Sequence, residues 1–229
     1  MNSDLTGNVI SDLSNRIILA DKPLDLTSAD VVRIFKREFS IKKIGHSGTL
    51  DPRATGLLIL CTDKKTKEIN DILILDKEYE GTIRIGAVTK SFDTETDEEI
   101  ITDEININDA DIERVRKTFI GEVEQTPPMY SAIKQKGKPL YKLARKGKEV
   151  VREPRKIIIS EFEVKRINDT ELYFRISSSK GTYIRSIAND FGERLGTGGY
   201  LKTLRRTRIG NFGLSGLTEE LNGIKYRLI

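Results

Sequence analysis

The stretch GHSGTLDPRATGLLIL, Gly45 to Leu60, sets one acid, Asp51, between a Gly-Thr-Leu run and a proline, then adds another glycine and four apolar residues. Gly45, Gly48 and Gly56 permit backbone angles that side chains forbid, and Pro52 fixes the residue after the acid. Leu57-Leu58-Ile59-Leu60 reads as a buried strand. The carboxylate is therefore expected on a loop braced by a core strand, a rigid place for a reactive acid. Taken alone, an Asp before Pro in a Gly-rich segment is more often an ordinary turn residue bonding its own backbone.

The rest of the composition narrows the chemistry. At 229 residues, with 37% hydrophobic and 32% charged residues, the chain has ample core and a heavily charged surface. The net charge of +4 and a pI near 9.0 are only mildly basic. The single cysteine, Cys61, excludes an internal disulfide and a cysteine-rich zinc site, and its place at the end of the apolar run suits a buried thiol. With one histidine, His46, a His-dependent triad or multi-histidine metal site is improbable. No stretch reaches the length of a membrane span and Met1–Ser14 lacks a signal-peptide pattern, so the cytosol is the expected location. There is no Trp, which leaves Tyr, Phe or arginine planes for stacking on a base.

Outward from the loop, residues 1–16 are expected to form a loose tail. Ile17–Ala20 reads as a short strand, and Thr27 with Asp30 as a capping box opening a helix with Val31, Val32, Phe35 and Phe39 on one face. Lys64–Leu73 is a predicted helix, and the alternation Ile83, Ile85, Ala87 a strand. Between Asp93 and Glu113 ten acidic residues occur with no basic one, including a helix from Asp109. The sign then reverses: Lys134–Lys156 holds ten Lys or Arg against Glu149 and Glu153, with Tyr130 and Tyr141 nearby. Such segregation with interleaved aromatics points to RNA contact. Leu140–Lys146 suits a short helix with Pro139 at its start and Gly147 past its end. Arg155–Lys165 and Glu171–Ser177 read as paired strands, Ser179–Gly199 as a turn and helix, and Tyr200–Gly210 as a strand with basic polar positions, also expected to touch phosphates. Irregular alternation of strands and helices suits a mixed α+β domain.

The string Gly-His-Ser-Gly-Thr-Leu-Asp-Pro-x-Ala-Thr-Gly-Leu-Leu resembles the active-site loop of the TruB family of pseudouridine synthases, and the resemblance runs colinearly from about Ile17 to Phe212. Asp21-Lys22-Pro23 with Thr27-Ser28 is similar to the family's opening motif, although Asp25 stands where the family has glycine. PPMYSAIK, ending at Lys134, and LYKLARKG are similar to motifs of an insertion that folds over RNA, here about residues 125–156.

The resemblance implies a pseudouridine synthase fold: a mixed, mostly antiparallel sheet flanked by helices, spanning 17–229. With the sequence ending at Ile229, the PUA-like domain that members commonly carry is not expected. It implies catalytic roles for Asp51, for Arg185 as the cation beside it, and for Tyr79, which stacks on the target base. Substrate-binding roles fall to His46, Tyr183, Leu204, Lys22, Lys134 and Asp93. The implied activity is isomerisation of the T-loop uridine, position 55, of tRNA, with the nucleotide flipped out. The expected partner is tRNA through its T stem-loop and elbow; no cofactor, metal or membrane is implied, and the protein is expected to be a monomer. Two other readings stand beside this one: a guide-RNA-dependent catalytic subunit, and a non-catalytic tRNA-folding chaperone that would not need Asp51.

Overall fold

The computed structural model describes residues 13–135 and 137–229; most of the expected loose tail, residues 1–12, and Lys136 of the basic segment lie outside the described residues. The chain folds as two compact units, one from the residues up to Leu73 with Phe212–Ile229, the other from Ile74–Asn211.

In the first unit the strands run in the order Glu219–Leu221, Ile224–Leu228, Ile17–Lys22, Ala54–Thr62, with Ile44–His46 paired to the last; every ladder is antiparallel. Leu57 to Cys61 have no exposed surface, which is why this strand reads as an unbroken apolar run rather than an alternation. The helix Ser28–Glu38 starts at Thr27, whose capping box with Asp30 is complete, and buries Val31 and Phe35. They pack with Ile18, Ala20, Leu58, Leu60, Ile224 and Tyr226, the Phe35 ring meeting Tyr226 edge-on at 5.1 Å. The end of the expected loose tail is tied in. Leu13 is buried, its carbonyl accepts the Thr62 hydroxyl at 2.5 Å, and the Arg16 N–H donates to Thr62 Oγ1 at 2.8 Å. Where one helix is expected over Lys64–Leu73, a 3-10 turn at Asp63–Glu68 precedes an α-helix at Ile69–Leu73. The Thr66 hydroxyl donates to Asp63 O at 2.6 Å, a local bond that competes with regular helix.

In the second unit the strand order is Gly199–Ile209, Lys77–Ile85, Glu171–Ser178, Arg155–Arg166, Gly121–Gln125, again antiparallel throughout. The helices Asp109–Lys117 and Ile184–Leu195 share one core with the sheet: Ile112, Val115, Ile187 and Phe191 pack with Ile83, Ile85, Phe162, Phe174 and Ile176. A parallel bridge joins Asp93 to Leu201. The insertion carries a short hairpin, Lys134–Gln135 with Lys138–Pro139, and the helix Leu140–Ala144, anchored by the buried Leu140. Among the described residues no helix is long and apolar enough to cross a membrane.

Candidate active site

Asp51 lies in the connection between the paired strands Ile44–His46 and Ala54–Thr62, with His46 opposite Leu60. The connection is fastened along its length. Ser47, fully buried, donates its N–H to Ile59 O at 2.9 Å. The Leu50 N–H donates to Ser28 Oγ at 2.9 Å and that hydroxyl donates back to Leu50 O at 3.2 Å, so the first residue of the helix holds the residue before Asp51 from both sides. Asp51 O accepts the Ala54 N–H at 3.0 Å, closing a turn with Pro52 at its second position. Pro52 O in turn accepts the Asp25 N–H at 3.0 Å and Lys22 Nζ at 3.4 Å.

One detail of this hairpin, the conformation of Gly45, differs from the sequence expectation. Gly48 and Gly56 occupy the left-handed region, at φ +94 and +101, but Gly45 does not: it is needed for space, because a Cβ there would sit 2.7 Å from Ile69 Cδ1. Asp25, standing in for the family's glycine, adopts φ +64, and its carboxylate pairs with Arg53 at 2.8 Å. Lys22, placed by the resemblance among substrate-binding residues, has no exposed surface; its Nζ also donates to Pro23 O at 2.8 Å and Leu26 O at 2.6 Å. The ammonium therefore lies among three backbone carbonyls, one of which, Pro52 O, belongs to the Asp51 turn. Burial pushes the Cys61 thiol up to about 11, so it stays a neutral core group.

In the second unit, Arg185 sits in the first turn of Ile184–Leu195 and is buried together with Asp93. Its Nε lies 3.5 Å from Asp93 Oδ2, while Nη1 donates to Ser91 O at 3.2 Å and Nη2 to Tyr130 O at 2.8 Å. Asp93 is held as firmly: Oδ1 accepts the Glu95 N–H at 2.9 Å, and its carbonyl takes the hydroxyls of Thr89 at 2.7 Å and Ser91 at 3.2 Å. The Tyr183 ring lies under two guanidinium groups, Arg155 at 4.8 Å and Arg185 at 6.0 Å from the ring centre. Gln125, buried, bonds the Tyr183 backbone with both ends of its carboxamide.

Tyr79 is half-buried against the core on the strand Lys77–Ile85, as is Leu204 on the facing strand. Its cross-strand partner is Arg206, which is fully buried; burial lowers the Arg206 pKa, and a side-chain hydrogen bond with Tyr79 works in the opposite sense. The structure thus brings Arg185, Asp93 and Tyr183 together, sets Tyr79 beside Arg206, and gives Asp51 and His46 one hairpin. Lys134 stands exposed on the insertion.

Sequence reasoning misses Gln125 and Arg206. Gln125 closes a strand and looks like a loop start. Arg206 reads as one of several solvent-facing basic positions, but register shifts after Leu201 and Arg206 break the alternation and leave its side chain inside. Two other basic residues of that strand meet acids: Lys202 pairs with Glu171, and Arg208 lies 3.4 Å from Glu78.

Compared with solved structures, the chain resembles one from a Cbf5–Nop10–Gar1 complex, with a TM-score of 0.69 and 30% identity over 87% of this chain and 50% of that one, so it spans about half the length of the matched chain. The fold is that of the pseudouridine synthases, α+β with a mixed, mostly antiparallel sheet. Residues 36–184 match the family described as TruB family pseudouridylate synthase (N terminal domain). Two relatives named tRNA pseudouridine synthase B are similar over most of their length: that of Chloroherpeton thalassium, 50% identical over 86% of this chain and 84% of its own, and that of Chlorobaculum tepidum, 51% identical over 86% and 85%. The chain belongs to the TruB family and is a pseudouridine synthase.

Proposed function

We propose that the protein isomerises the uridine at position 55, in the T loop of tRNA, to pseudouridine, with Asp51 as the essential carboxylate acting on a nucleotide flipped out of the stack. The reaction breaks the C1′–N1 bond, turns the base, joins C5 to C1′, and moves the C5 proton away while N1 takes one up. The sum is an isomerisation that needs neither oxidant nor co-substrate. The observation that carries this reading is the fastening of the Asp51 hairpin on both sides of the acid, by Ser28 at Leu50 and by Lys22 and Asp25 at Pro52. Such bracing suits a group that must meet C1′ or the base at a fixed angle. It exceeds what a turn residue requires.

Arg185, oriented by Asp93, is the cation that keeps a carboxylate ionised when RNA displaces water. Tyr79 stacks on the uracil and receives or relays the C5 proton. Tyr183 and Leu204 line the pocket, and His46 occupies the space the flipped nucleotide leaves. The insertion, about 125–156, lies along the RNA with Lys134 among its phosphate contacts, and the protein acts as a cytoplasmic monomer on the tRNA elbow. The substrate assignment is supported by relatives named tRNA pseudouridine synthase B at 50 and 51% identity, against 30% for the chain of the Cbf5 complex, which makes a guide-RNA-dependent role the weaker reading.

The test is tritium release from C5-labelled uridine in an unmodified tRNA transcript, with wild type and Asp51→Asn. Turnover by wild type alone is expected, with tRNA affinity of the variant within a few-fold. Substantial turnover by pure Asp51→Asn would return Asp51 to the role of a turn residue.

A further inference from the structure

The strand Gly121–Gln125 is the edge of its sheet, and its last side chain is turned inward, 2% exposed. The Gln125 carboxamide does there what a neighbouring strand would do. Nε2 donates to Tyr183 O at 3.0 Å, and Oε1 accepts the Tyr183 N–H at 2.8 Å. One side chain so satisfies both backbone polar groups of the residue that precedes helix Ile184–Leu195, a start that has no side-chain cap of its own. The following residues are stitched to the same segment: Ser186 Oγ donates to Thr126 O at 3.1 Å and Arg185 Nη2 to Tyr130 O at 2.8 Å.

We propose that Gln125 is a positioning residue for the reaction: its carboxamide fixes the Tyr183 backbone, and with it the direction in which Arg185 leaves the first helical turn. This rests on the roles given above to Arg185 and Tyr183. The side chain's chemistry is specific. Asparagine is one methylene too short to reach both groups. Glutamate keeps the volume and the acceptor for the Tyr183 N–H but sets a carboxylate oxygen against Tyr183 O. Alanine takes the carboxamide acceptor from the Tyr183 N–H and leaves Tyr183 O with the Ile187 N–H at 3.2 Å. Because a reacting group displaced by about 1 Å loses on the order of 100-fold in rate, the effect falls on the chemical step and not on tRNA affinity.

The experiment uses the full chain and a C5-tritiated, unmodified tRNA transcript with enzyme in excess. Gln125→Glu, Gln125→Ala, Arg185→Lys and Gln125→Ala with Arg185→Lys are compared with wild type. Affinity is read in an Asp51→Asn background, and hydrogen exchange over residues 181–187 reports the clamp directly. The expected result for both Gln125 variants is a single-turnover rate lower by roughly 10- to 100-fold, a Kd within about threefold, and faster exchange at Tyr183. In the double variant the losses combine to less than their product, since both act through one guanidinium. A folded Gln125→Ala with the wild-type rate beside a crippled Arg185→Lys overturns the proposal alone, as do fully multiplicative losses or a loss confined to affinity. A wild-type rate for Arg185→Lys overturns the reading of Arg185 and this proposal with it. Should Gln125→Ala fail to fold, the isosteric Gln125→Glu carries the same comparison.

Discussion

The Arg185 guanidinium meets the Asp93 carboxylate at 3.5 Å with the two side chains only 6% and 8% exposed, and its terminal nitrogens are both committed to backbone carbonyls. The plane of the guanidinium is therefore set from three directions before any substrate arrives. A cation fixed in this way stabilises developing charge without reorganising during the reaction, which is where electrostatic catalysis draws most of its strength.

Arg185→Lys is expected to lower the single-turnover rate by about 100-fold or more, because an ammonium cannot reproduce the three-way geometry of the fork. Asp93→Ala is expected to cost about 3–5 kcal/mol in urea unfolding, the range for removing one partner of a buried pair. An Arg185→Lys enzyme near the wild-type rate would make Arg185 a structural arginine.

Lys22→Met tests whether Lys22 braces the Asp51 turn or binds RNA. The thioether matches the stem but donates nothing to Pro23 O, Leu26 O and Pro52 O. A stability loss of at least about 2 kcal/mol is expected, together with a slower chemical step and an unchanged Kd for tRNA. A fall in affinity at undiminished stability would restore the substrate-contact role that the family resemblance suggests.

Much of this is legible in the sequence because the local signals agree with the fold. The Thr27–Asp30 capping box, the apolar run from Leu57 and the Ile83–Ile85 alternation each correspond to the element they predict. What escapes is set by tertiary contact. Nothing local distinguishes Lys22 from a surface lysine, or Arg206 from Arg208. Their burial depends on which carbonyls and which register shifts the folded chain brings beside them. Gly45 reads as a conformational glycine, yet its limit is the Ile69 side chain, a neighbour far along the chain.

Cys61 gives a pH signature with a definite sign. Its thiol is raised to about 11 in the fold by burial, against 9.0 as its ordinary value. Below pH 9 both folded and unfolded states hold the proton and the group contributes nothing. Between about 9 and 11 the unfolded chain loses the proton while the folded one keeps it, so stability falls by up to about 1.4 kcal/mol per pH unit. Urea unfolding of wild type and Cys61→Ala across this window should show a steeper decline for wild type. Parallel curves, or rapid thiol labelling of the native protein at pH 8, would contradict the buried neutral thiol.

Which charges the RNA meets depends on which are already engaged within the protein. In the insertion the arginines are already engaged: Arg145 with Glu95 at 2.7 Å, Arg152 with Pro127 O at 3.2 Å, and Arg155 with Gly181 O and the Tyr183 ring. Among the described residues the exposed Lys138, Lys142 and Lys146 have no ion pair, and neither have Asp97, Glu99 and Asp103 of the acidic run. On the basic strand, Lys202 and Arg208 are paired to acids of their own sheet. Neutralising Lys138, Lys142 and Lys146 together should weaken tRNA binding and flatten its dependence on salt. The log–log slope should fall by roughly 0.7 units for each single-stranded phosphate that no lysine neutralises any longer, and somewhat more where the RNA is paired. Neutralising Lys202 and Arg208 should change the slope much less, since those charges are already compensated within the protein. Neutralising Asp97, Glu99 and Asp103 controls for the long-range field, which shifts association while every phosphate keeps its cation. All three variants are measured by salt-titrated filter binding to one unmodified tRNA. Equal slopes for the lysine and acidic sets would mean that the insertion's lysines are ordinary solvated surface. A larger change from Lys202 and Arg208 would move the RNA from the insertion to that strand.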